Sequence, residues 1–177
     1  MVTAIGIWIR QRQRFVAVTL ASISILLYSL YFLHLDADFP NFSPWNDLSK
    51  ITDEGWYASG AVHHAMLGHW HTAGAFNPSV AMPVWSLLAW LWLHVVGFGM
   101  VQLRVLTVLI FGVSMLLVWR LMRQQAGIAA ASFAVILLVV NPFNYSFDRL
   151  AILEPVLVLW LLLTWLLARW AATSRHM

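Results

Sequence analysis

Hydrophobic and polar positions in this chain fall into long blocks. Phe15–Leu33 runs 19 residues without a charge, and four further apolar segments follow at about Val84–Met100, Val105–Leu121, Ile128–Val140 and Ala151–Ala168. Blocks of this length predict helices, and about 20 residues are needed to cross a bilayer. The intervening polar stretch carries Pro40, Pro44, Pro78 and Pro83, which break it into short pieces. Within it, Asp53 to about Leu67 predicts a helix. Thr52 or Asp53 is placed to cap it, Asp53 and Glu54 suit the positive end of its dipole, and Gly68 ends it.

Composition strengthens the membrane reading. Hydrophobic residues make up 62% of the chain and mean hydropathy is +0.79, far above a soluble domain. The 11 Trp and 4 Tyr suit membrane–water interfaces, where a flat ring sits half wet. With no Cys, disulfides and thiolate metal sites are excluded. Arg10, Arg12 and Arg14 precede the first block as they would a signal peptide, but a signal core runs about 7–15 residues and ends at small residues. This block is longer and ends in Tyr31-Phe32-Leu33-His34-Leu35, so a retained anchor is expected.

Charge distribution then sets the topology. Of the ten basic residues, seven flank hydrophobic blocks. If all five blocks crossed, Arg120 and Arg123 would fall outside and Asp148-Arg149 inside, against the enrichment of Lys and Arg in cytoplasmic loops. If Val84–Met100 lies along the outer face instead, Arg10, Arg12, Arg14, Arg120, Arg123, Arg169 and Arg175 all fall inside. That segment carries three Trp and a His between Trp85 and His94, as an interfacial helix does. The expected fold is therefore all-α and integral to the membrane, one module over 1–177. Its four spans lie at about 15–33, 104–122, 127–142 and 151–169, and a long outer loop, 34–103, contains amphipathic juxtamembrane helices. Asp36, Asp38, Asp47, Asp53 and Glu54 lie in that loop, and Asn141–Leu150 forms a second outer loop.

Few residues in such a chain carry chemistry. On a helix starting near Asp53, positions 57 and 64 return to nearly the same face, so Asp53, Tyr57 and His64 line one side. A carboxylate there could act as general base on a hydroxyl; the plainer reading makes Asp53 a cap and leaves Glu54 solvated. In the second loop, Arg149 offers a fixed planar cation suited to phosphate or carboxylate. Glu154 starts the last apolar block, and an ionisable group at that depth is a functional candidate. The alternative is a self-neutralising Asp148–Arg149 or Arg149–Glu154 pair. His63, His64, His69 and His71 suggest zinc, but adjacent helical histidines point about 100° apart and favour interfacial or hydrogen-bonding roles.

Two stretches, Asp-Glu-x-x-Tyr-Ala at 53–58 and Arg-Leu-x-x-Leu-Glu-Pro at 149–155, appear in order with an N-terminal span, a Pro-then-aromatic interfacial segment and a hairpin of spans. The combination resembles the start of the GT-C glycosyltransferases, in particular the branch of protein O-mannosyltransferases and lipid A aminoarabinose transferases. The resemblance implies a membrane transferase that takes a sugar from a polyprenyl-phosphate donor to a hydroxyl acceptor on protein, lipid or glycan at the outer face. Asp53 would be the catalytic base, with Glu54, Tyr57, His64, Asp148, Arg149 and Glu154 as substrate-binding candidates.

The basic residue that many relatives place before the interfacial Pro is replaced by Phe76-Asn77-Pro78, leaving Arg149 as the main phosphate candidate. No cofactor is implied with certainty, a divalent metal is left open, and nucleic acid is not expected. The inner membrane is the expected location, with the active face outside the cytoplasm. Relatives in this family are longer, so the chain reads as the N-terminal part of such an enzyme. The alternative is a non-catalytic membrane module or split subunit that binds the lipid carrier or a further polypeptide.

Overall fold

The computed structural model describes residues 2–37, 49–71 and 82–174, with side chains from 15, from 53 and from 82 onward in the three stretches. The described residues form helices and their connections: α1 (Val2–Ser29), α2 (Ser49–Leu67), α3 (Pro83–Val96), α4 (Met100–Val139), α5 (Pro142–Phe147) and α6 (Glu154–Ser174). Phe15–Phe32, α4 and α6 are long and apolar enough to cross a membrane. The protein is an all-α integral membrane protein. At 14 residues α3 rises about 21 Å, short of the roughly 30 Å hydrocarbon core. Pro40, Pro44, Pro78, Asp38, Asp47 and Arg175 lie outside the described residues, as do the side chains of Arg10, Arg12, Arg14 and Thr52.

Local signals explain the boundaries. Pro83 opens α3 at the first position, where its missing N–H costs nothing, and Gly97 closes it with φ 91° while its N–H bonds Leu93 O. Gly68, φ 76°, ends α2 through a bond to His64 O. The start of α2 differs from the expected one. The helix begins at Ser49, its first turn holds no acidic residue, and Asp53 sits one turn inside. No Gly or Pro separates Ser49 from Asp53, so once nucleated the helix propagates through this stretch. Asp53 is therefore not the cap.

The largest departure from a simple rod is in α4. Gly127 takes φ 83°, ψ 175°, a region essentially restricted to glycine, and the helix reverses there. Trp119 Nε1 donates to Ser132 Oγ at 3.2 Å. In a straight helix these residues would lie about 20 Å apart. The two arms, 100–126 and 128–139, form a hairpin, and the second arm stops at Val139, before the expected 142.

Two apolar clusters hold the bundle. Tyr31 at the end of α1 stacks on Phe111 with ring centroids 5.1 Å apart, among Val108, Met115, Val135 and Val139 from both arms of α4. Its hydroxyl donates to Val139 O at 2.9 Å. The second cluster joins Ala58 and Ala61 of α2, Trp85 and Leu93 of α3, Leu103 and Leu106 of α4, and Ala151 and Val156 at the start of α6. Small residues on α2 let these helices approach closely, so that van der Waals packing, the main driving force between helices in a membrane, holds the cluster. By contrast, only 6% of the Phe15–Phe32 window and 6% of α6 is buried, so their apolar faces are left for lipid or other chains.

These contacts gather the end of α1, α2, α3, the start of α4, α5 and the start of α6 at one end of the bundle. The Gly127 turn, Arg120, Arg123 and Arg169 lie toward the other.

Candidate functional site

The polar end of the bundle is organised by two arginines. Arg104, in the first turns of α4, is buried against Glu54 of α2: Nε donates to Oε1 at 2.8 Å and Nη2 to Oε2 at 2.7 Å, a bidentate fork. The side chains are 6% and 4% exposed. Glu54 Oε1 also accepts the backbone N–H of Ala151 at 2.8 Å, and Arg104 Nη1 donates to Leu35 O at 2.7 Å and Ala37 O at 3.2 Å. Glu54 is thus not the solvated carboxylate of the plainer expectation. Both its oxygens are engaged within the protein.

Arg149 performs a parallel task. Its Nε donates to Tyr31 O at 3.1 Å and its Nη2 to Leu33 O and to His34 O, while the guanidinium lies 4.6 Å over the Tyr145 ring. Together the two arginines take up carbonyl oxygens at 31, 33, 34, 35 and 37, in the stretch that follows α1, where no continuing helix supplies i+4 N–H donors. Among the described residues no ion pair joins Arg149 to Asp148 or Glu154, so the expected self-neutralising pairs do not form.

Asp148 and Glu154 lie on the wall of one groove. The space, about 480 Å³, runs between the first arm of α4 and α6, along Phe111, Met115, Val118, Val158 and Leu162, and ends in polar groups at Asn144, Asp148 and Glu154. Burial pushes the Asp148 carboxyl up to about 7, which favours its protonated form near neutral pH far more than in an ordinary carboxyl. Asn141 Oδ1 accepts the Phe143 N–H at 2.9 Å and starts α5, the short helix that carries this wall.

Of the α2 candidates, Asp53 is exposed and Tyr57 half-buried. The Tyr57 phenol is raised above its ordinary value by burial first, then by the negative charges of Glu154 and Asp53. The Tyr57 hydroxyl thus feels both carboxylates, and Glu154 also lines the groove. His64 belongs elsewhere: its ring lies 4.2 Å from Trp70 and 5.2 Å from Trp90, with Nδ1 buried and no hydrogen-bond partner. The shared face drawn from helical spacing is divided by what packs on it. Among the described residues no group of three or more His, Asp or Glu side chains is placed to hold a metal.

The family model for dolichyl-phosphate-mannose-protein mannosyltransferases matches residues 77–176, more than half of the chain. The chain belongs to this family. No curated protein matches the chain, and no solved structure does. Membership identifies a membrane glycosyltransferase of the mannosyltransferase type. Within this mannosyltransferase-family chain the match spans α3 to α6, so Asp148, Arg149, Glu154 and the groove lie inside it, whereas α2 with Asp53, Glu54, Tyr57 and His64 precedes it.

Arg104 was not among the sequence candidates. Its signal was nonetheless present, a lone arginine flanked by Leu103 and Val105 at the head of an apolar block, where an ionisable group needs a partner.

Proposed function

We propose that this protein transfers mannose from a dolichyl-type polyprenyl phosphate to a hydroxyl of a protein acceptor at the non-cytoplasmic face. The observation that carries the reading is the groove: an apolar trough about two helical turns long, suited to part of an isoprenoid tail, ending in polar groups at Asn144, Asp148 and Glu154. The location of Arg120, Arg123 and Arg169 toward the opposite end supports an outward-facing site.

Asp53 accepts the proton of the acceptor hydroxyl as its oxygen attacks the anomeric carbon. The C1–O bond to phosphate breaks, and the polyprenyl phosphate departs with inversion. Tyr57, one turn along α2 from Asp53, and Glu154, at the start of α6, orient the sugar hydroxyls. A fully ionised Asp148 would repel the carrier phosphate, but with its carboxyl raised to about 7 it is readily protonated and can then donate a hydrogen bond. Arg149 offsets charge on the departing phosphate by its field, since Nε and Nη2 already bond backbone carbonyls.

The test is transfer of labelled mannose from dolichyl phosphate mannose to a Ser/Thr-containing peptide by the reconstituted protein. General-base loss costs typically 10²–10⁴-fold, so Asp53→Asn is expected to drop turnover at least a hundredfold without altering helix content or melting. Full activity in Asp53→Asn removes the assignment. Binding of the donor by the wild-type chain without turnover would instead favour a non-catalytic module.

A further inference from the structure

We propose that the buried Glu54–Arg104 pair is a positioning device for sugar transfer: it fastens α2 to the loop entering α6 and so sets where Asp53 and Tyr57 stand relative to the start of α6. The role rests on Asp53 being the base. Asp53 and Glu54 are neighbours on one helix, about 100° apart around its axis, so fixing the Glu54 carboxylate fixes the roll of α2 and the direction in which Asp53 points.

Three tethers meet at that carboxylate. Arg104 reaches both oxygens, at 2.8 and 2.7 Å, and the Ala151 N–H reaches Oε1 at 2.8 Å, three residues before Glu154. A bidentate guanidinium defines a plane and resists rotation, which a single ammonium contact does not. Arg104 is itself fixed on the Leu35 and Ala37 carbonyls, so α2 is referenced to the end of α1 as well. Below the pair, Ala58 and Ala61 of α2 pack with Ala151 and Val156, and apolar contact between such small side chains permits sliding that the fork prevents. A displacement of about 1 Å at a reacting group can cost on the order of 10²-fold in rate.

The absence of cysteine allows a direct readout. Spin labels at Ser59→Cys on α2 and Leu157→Cys on α6, both introduced into the full chain in lipid nanodiscs, report the distance between the two helices. One narrow distance distribution is expected with Glu54 and Arg104 intact, and a shifted or broadened one in Glu54→Gln and in Arg104→Lys. In unlabelled protein with dolichyl phosphate mannose and a Ser/Thr peptide, the same two variants should lose tenfold or more in kcat with KM within threefold.

An unchanged distance distribution, or a broadened one with unchanged kcat, overturns the proposal. If Glu54→Gln does not fold, Arg104→Lys, which keeps the charge and loses the fork, carries both measurements; failure of both to fold overturns positioning in favour of a purely structural pair. Wild-type protein that transfers no mannose sinks the enzymatic reading and the catalytic role with it, while the distance measurement still shows whether the pair holds α2 in place.

Discussion

Replacing Glu54 and Arg104 singly and together tests how the polar end is held. In Glu54→Leu the Arg104 guanidinium loses both bonds of its fork to Glu54, and the Ala151 N–H loses its acceptor. Breaking a buried pair by removing one partner costs about 3–5 kcal/mol, and an orphaned buried N–H about 1–3 kcal/mol. Arg104→Met leaves the Glu54 carboxylate buried, and the Leu35 and Ala37 carbonyls lose the donor at 2.7 and 3.2 Å, but Ala151 keeps its bond. The double variant Glu54→Leu/Arg104→Met removes both charges of the pair at once, so its cost should fall below the sum of the singles by about 2–3 kcal/mol, a coupling expected of residues in direct contact. The assay is reversible unfolding in mixed micelles by a denaturing detergent, followed by tryptophan emission. Effects that add within about 0.5 kcal/mol, or single variants as stable as wild type, would refute the reasoning, because two buried charges 2.7 Å apart must be coupled.

Two further perturbations address groups elsewhere in the fold. The Asp148 carboxyl is raised from 3.8 to about 7, so the folded state disfavours its ionised form; the cost is absent below 3.8, grows as pH rises and is complete above 7. Asp148→Asn should therefore stabilise the protein at pH 8 by up to about 4 kcal/mol, and by much less at pH 5, as read from melting at the two pH values. Gly127→Ala meets no neighbouring atom but forces an L residue into φ 83°, so it should cost about 1–3 kcal/mol in the same unfolding assay, with the helical hairpin weakened.

Helical segments and the membrane were legible because they depend on the long-range average of hydrophobicity, which no single contact alters. Turn residues such as Gly68, Gly97 and Pro83 act through their own backbone limits, so they too could be read from neighbours alone. The site was legible in part. Asp148 and Glu154 stood out as charges beside apolar blocks, and they do share a groove, but their partners did not. Spacing on α2 put Asp53, Tyr57 and His64 on one side, yet His64 packs with Trp70 and Trp90 while Tyr57 lies in the field of Glu154, nearly a hundred residues away in sequence.

The sequence by itself determined what this protein dissolves in and which segments are helical, since hydropathy and backbone preference are properties of residues and their near neighbours. Only the tertiary structure decided what the charged groups do. A buried carboxylate must find a cation, and the one that reaches Glu54 is Arg104, 50 residues on. Carbonyls in the non-helical stretch after α1 take side-chain donors, and they draw in Arg149. Ion pairing in a low-dielectric interior is set by which helices meet, and the order of residues along the chain does not encode that directly.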